Sequence, residues 1–214
     1  MVRKTLIAFG ALAATASAHA ATVSYTDWTY NTDDEIDWLV TIEESTYTDS
    51  SGTEQDIFLF DVGIGSGDLV GDIVGFGFNT HIDYGSSVLD GELIAFADSP
   101  TFGSCSGSCN WNGTDARNPD YSFAVGNNGL SGSGDDHQSF SFGLLALGNE
   151  LTAETFSLVA IRATSVGMGD DREESVKDYS SMATVENVPE LNGSLASIMF
   201  ALVASLMGIK RRRD

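Results

Sequence analysis

Ser139-Phe140-Ser141-Phe142-Gly143-Leu144-Leu145 puts Phe140, Phe142 and Leu144 on one side of an extended chain and Ser139, Ser141 and Gly143 on the other. Side chains alternate across a strand, so this pattern predicts a half-buried β-strand with an aromatic inner face. The same period runs through residues 57–62, with Phe58 and Phe60 on one face, and through Trp38, Val40 and Ile42, which alternate with Leu39, Thr41 and Glu43. Residues 23–30 open the series, with Val23, Tyr25 and, after a slip in register, Trp28 inward. Val74, Phe76 and Phe78 mark a further strand, and Gly75 and Gly77 between them predict a bulge or the close approach of a second backbone. Residues 92–97, 121–125 and 156–164 complete at least eight strands, separated by turns rich in Gly, Asn, Asp and Ser such as Asp49-Ser50-Ser51-Gly52. The fold class is therefore all-β. An antiparallel β-sandwich of jelly-roll type is the expected packing, with barrel closure as the alternative. No repeat of fixed period points to a solenoid or propeller.

The two ends of the 214-residue chain read differently. Arg3 and Lys4 precede an apolar stretch over residues 6–14, and Ala18-His19-Ala20 supplies a small-x-small cleavage site. That is a secretory leader over residues 1–20, with cleavage specified by Ala18 and Ala20. At the other end, Val188-Pro189-Glu190 is followed by an uncharged run from Leu191 to Ile209 and then by Lys210-Arg211-Arg212-Arg213. At about 1.5 Å per residue the run would extend about 28 Å as a helix, enough to span a hydrocarbon core. The four cations would hold its end on the cytoplasmic side. A buried core helix is the competing reading, but it would show a polar face, and this run has only scattered Ser and Gly.

This three-part tail resembles the PEP-CTERM sorting signal of Gram-negative surface proteins, with Leu191 where the family has its second proline. The resemblance implies that Val188, Pro189 and Glu190 form the recognition motif for an exosortase-like protease. It also implies that the tail is a temporary inner-membrane anchor, and that the protein ends at the cell surface or outside. Pro189 fixes its own φ and biases Val188 toward extended geometry, the form in which proteases bind substrates.

Residues 21–187 lie between the two signals, the size of one domain. Only Arg117, Arg162, Arg172 and Lys177 of the chain's 10 cations fall there. Of 31 acids, Glu190 and Asp214 lie outside, so the domain carries 4 − 29 = −25. Nucleic acid and anionic membrane surfaces are poor partners for that charge, whereas divalent cations fit it. Acid-rich turns make candidate Ca²⁺ sites: Asp49, Glu54 and Asp56 in one, Asp135 and Asp136 in a second, Asp170 and Asp171 in a third. Oxygen ligands on Gly-rich loops suit that ion, although none of the three has EF-hand spacing, and a solvated acidic turn is the competing reading. Cys105 and Cys109, separated by Ser-Gly-Ser, read as a disulfide in an exported chain, ahead of free thiols or metal binding. Trp111 beside them is either a sugar-stacking platform or a cover over the rim of the sandwich.

Nothing in the chain carries a recognisable catalytic constellation. His19, His81 and His137 are scattered, and there is no nucleophile elbow or phosphate loop. With 29 carboxylates in the domain, some pair at glycosidase spacing arises by chance, so such a pair has no diagnostic value. Two function classes follow. The first is a non-catalytic surface or matrix protein, exported by Sec-type machinery, cut by an exosortase-like protease and associating with exopolysaccharide. The second is a Ca²⁺-assisted carbohydrate-binding module.

Overall fold

The computed structural model describes residues 20–28, 36–65, 69–105, 109, 111, 118–127, 136–168 and 171–188. Among the described residues of Ala20–Val188 there are eleven strands: β1 (Ala20–Tyr25), β2 (Trp38–Thr48), β3 (Glu54–Ile64), β4 (Leu69–Thr80), β5 (Leu93–Ala95), β6 (Phe102–Gly103), β7 (Tyr121–Val125), β8 (Ser139–Leu145), β9 (Phe156–Met168), β10 (Asp171–Ser180) and β11 (Ala183–Val188). They build two antiparallel sheets, one in the order β11-β1-β2-β3-β8-β5 and the other β10-β9-β4-β7-β6. The chain passes between sheets after β3, β4, β5, β7, β8 and β10. Neither sheet closes on itself, so the barrel alternative falls. Among the described residues no helix is long and apolar enough to cross a membrane, and the apolar tail run lies outside them.

The inner faces meet through phenylalanine. Phe60 on β3 stacks on its cross-strand partner Phe142 on β8 with centroids 4.6 Å apart. It also meets Phe76, Phe78 and Phe156 of the opposite sheet edge-on or tilted at 5.0–6.0 Å. All five rings are shielded from water. Edge-to-face contacts of this kind add to the area term, because the ring edge is positive and the face negative. Alternation in β2, β3 and β8 holds as the side-chain period predicts: Trp38, Val40, Ile42, Phe58, Phe60, Val62, Phe140, Phe142 and Leu144 all reach the core.

Two of the expected strand patterns need correction. In β4 the register against β9 slips between Ile73 and Gly75, which leaves Val74 as the extra residue of a bulge. Ile73, and not Val74, therefore shares the core face with Phe76 and Phe78. At Gly77 it is side chains, not a second backbone, that come close. A Cβ there would sit 2.6 Å from Cγ of Pro119, so the loop before β7 lies directly on the strand. The second correction is at the start of the chain, where β1 ends at Tyr25 and Trp28 packs on the core from the loop beyond.

Candidate functional site

The best-built polar cluster lies where the segment before β8 crosses β4, β9 and β10. Asp136 takes a two-pronged ion pair from Arg172, with Nη1 to Oδ2 at 2.9 Å and Nη2 to Oδ1 at 2.8 Å. Arg172 Nε also donates to the carbonyl of Ser165 at 2.7 Å, and Ser165 holds the left-handed φ of 52°. Asp72 is buried in β4 and accepts from the backbone N–H of His137 at 3.2 Å, while Ile73 N–H donates to the His137 carbonyl at 2.8 Å. The Arg172 hydrogen bonds hold the Asp136 carboxyl below its ordinary range, and Asp136 in turn raises the guanidinium. A forked guanidinium satisfying two carboxylate oxygens is the strong form of such a pair. Here it ties β9, β10 and the segment before β8 together, while the Asp72 and Ile73 bonds to His137 join β4 to the same segment.

The acidic turns look different once their hydrogen bonds are seen. Asp49 Oδ1 accepts from Ser51 N–H at 2.8 Å, Ser51 Oγ at 2.6 Å and Thr53 N–H at 2.9 Å. Those donors, Ser51 Oγ first, push the exposed carboxyl down. Asp49 thus organises the β2–β3 hairpin by mimicking a backbone turn. Glu54 and Asp56 lie two residues apart along β3, both exposed, opposite Thr48 and Thr46. Both oxygens of Asp136 are committed to Arg172. Asp171 borders a hollow of about 300 Å³ with Leu69, Val166, Gly167, Met168, Glu173 and Glu174. Asp135 and Asp170 lie outside the described residues. Among the described residues no three His, Cys, Asp or Glu side chains converge as a metal would need. Asp49 Oδ1 and both oxygens of Asp136 are engaged by protein donors, whereas Ca²⁺ takes six or more oxygens pointing inward.

Cys105 and Cys109 form a disulfide with Cα atoms 5.1 Å apart. The bridge sets Cys109 and Trp111 against Ala124, Leu158, Ala160 and Tyr179, which make an apolar patch on the five-stranded sheet away from the main core. Trp111 is only 6% exposed, so its ring covers that patch and cannot serve as an open sugar platform. Short β6 also emerges in this segment, where the sequence shows no alternation. On the same face of β9 as Ala160, Arg162 stands directly across from Lys177. Burial lowers the pKa of both, and for Lys177 the neighbouring guanidinium adds to the effect. Two of the four domain cations are therefore neighbours, which sequence spacing of 15 residues does not reveal.

Val188, the first residue of the tail motif, is the last residue of β11 and pairs with Ala20; Pro189, Glu190 and residues 210–213 lie outside the described residues, as does Ala18. Fold and cluster together define an all-β protein of two antiparallel sheets with a disulfide-fastened outer loop and a polar corner built on the Asp136–Arg172 pair. No family model, curated protein or solved structure matches the chain.

Proposed function

We propose that the chain is the precursor of an exported, non-catalytic protein of the cell surface or extracellular matrix. A leader over residues 1–20 and a PEP-CTERM-like tail over 188–214 deliver a jelly-roll-like sandwich spanning 21–187. One observation carries the reading. The first and last residues assigned to the domain from two unrelated motifs, Ala21 and Asn187, are cross-strand partners in β1 and β11. A folded unit whose ends meet at one sheet edge is a natural body for two removable terminal signals. The repeated passage of the chain between sheets is the connectivity expected of the jelly-roll-like part of the reading.

The Ca²⁺-assisted carbohydrate module has less behind it. Trp111 is covered, Asp49 spends Oδ1 on its own turn, and Asp136 spends both oxygens on Arg172. In the proposed route the inner membrane holds the precursor through residues 191–209, an exosortase-like protease recognises Val188-Pro189-Glu190, and the released domain joins exopolysaccharide outside. The test is a C-terminal epitope tag followed by membrane-versus-medium fractionation in a host with that protease. The delivered protein should lack the tag, and Pro189→Ala with Glu190→Ala should trap the tagged form in the membrane. A tag still attached to delivered protein would reduce the tail to a permanent anchor.

A further inference from the structure

We propose that the leader bond Ala20–Ala21 can be cut only before β11 docks on β1, so that folding orders the processing at the two ends of the chain. The inference rests on the leader reading given under the proposed function and adds to it a constraint drawn from the sheet. Ala20 and Ala21 both belong to β1, paired with Val188 and Asn187 of β11. From Thr22 onward β1 is also paired on its other side with β2. Ala21 is 9% exposed and belongs to the core, as do Val23 and Tyr25 behind it. The Tyr25 hydroxyl donates to the Phe156 carbonyl in the opposite sheet, so the strand is fastened across the sandwich as well.

A peptidase binds the residues around its scissile bond as an extended strand, using the same backbone groups that a sheet uses. In the folded precursor those groups on Ala20 and Ala21 pair with β11, and the residues just after them, from Thr22, pair with β2 as well. Freeing the bond means separating the start of β1 from β11 and lifting Ala21 and the β2-paired residues behind it out of the core, a sub-global opening. Before β11 arrives the obstacle is incomplete, and β11 is the last strand of the fold. During export the leader therefore has a period of access that closes when the domain does. In the cut itself water adds across the Ala20–Ala21 amide, leaving a carboxylate on Ala20 and an amine on Ala21.

The same geometry reaches the other end. Val188 faces Ala20, the residue that leaves with the leader. After leader removal β1 begins at Ala21, its outermost pair is Ala21 with Asn187, and Val188 has no partner on β1. Val188, the first motif residue, then lies beyond the paired part of β1, free to be bound in extended form. Leader loss thus precedes and favours tail recognition.

The experiment uses the full chain with its leader intact, purified in detergent and treated with purified signal peptidase, with the new N-terminus read by mass spectrometry. Three samples are compared: folded precursor, precursor diluted from urea directly into the peptidase, and folded precursor with Gly-Ser-Gly-Ser inserted between Ala20 and Ala21. The insert moves the scissile bond off the sheet and leaves residues 21–188 as they are. Folded precursor should be cut roughly tenfold more slowly or worse, in keeping with a sub-global opening, while the other two are cut readily after Ala20. Equal rates for folded and unfolded precursor would overturn the proposal. So would an insert-bearing precursor as resistant as the parent, because the sheet would then not be the obstacle. Failure of the unfolded chain to be cut after Ala20 would take down the leader reading itself, and this inference with it.

Discussion

Replacing Phe60 by Ala should be the most damaging single change in the core, for reasons that can be put in numbers. The ring is fully buried, stacks at 4.6 Å on Phe142 and contacts Phe76, Phe78 and Phe156 of the other sheet. Truncating a buried Phe to Ala costs about 3–5 kcal/mol through lost transfer energy and the cavity left behind. For a domain of this size each kcal/mol lowers Tm by about 2–4 °C, so a fall on the order of 10 °C is expected. Phe60→Leu keeps most of the apolar volume but loses the ring-to-ring geometry, and should cost about 1–2 kcal/mol. Leu39→Ala, on the neighbouring strand and 52% exposed, should stay within about 0.5 kcal/mol of the parent. Urea unfolding followed by near-ultraviolet circular dichroism gives all three values from one assay. A Phe60→Ala midpoint no lower than that of Leu39→Ala would refute the placement of Phe60 between the sheets.

The Asp136–Arg172 pair should give the domain an acid-sensitive component. The folded Asp136 carboxyl lies below its unfolded value, so its contribution is present above about pH 4 and is lost as pH falls through the folded value. Since Asp136 is about one-third exposed, Arg172→Gln should remove about 1 kcal/mol or less of charge pairing and flatten that acid limb in pH-dependent thermal melts. Gly77→Ala should destabilise by about 1–3 kcal/mol in the same melts, since the new methyl would press on Pro119 and the loop must move. Ca²⁺ and Mg²⁺ at matched ionic strength should raise Tm equally by screening the −25 domain charge; a larger gain with Ca²⁺ would reinstate an acidic turn as a binding site. Alkylation of the native protein without reductant should label neither Cys105 nor Cys109, and stoichiometric labelling of both would remove the bridge.

Local alternation was enough to identify the all-β class and most of the inner face. A strand that buries one side must repeat every second residue, and residues 38–42, 58–62 and 140–144 do so without interruption. The cysteine pair was legible because two Cys in a chain read as exported point to a disulfide, and the three small residues between them let the chain bend. Other features depended on partners far along the chain. β10 (Asp-Arg-Glu-Glu-Ser-Val-Lys-Asp-Tyr-Ser) is a polar edge strand with little apolar rhythm, and it becomes a strand because β9 offers it a backbone ladder. Val74 leaves the core face because a bulge against β9 shifts the phase by one residue, which no pattern confined to β4 can show. Trp111 is a cover because Leu158 and Ala160 lie beneath it. Asp136 is an ion-pair partner because Arg172, 36 residues away, reaches it across the corner. Periodicity reports which side of a strand is apolar; which groups face one another across the sandwich is decided by strand order and register, and these exist only once the sheets have assembled.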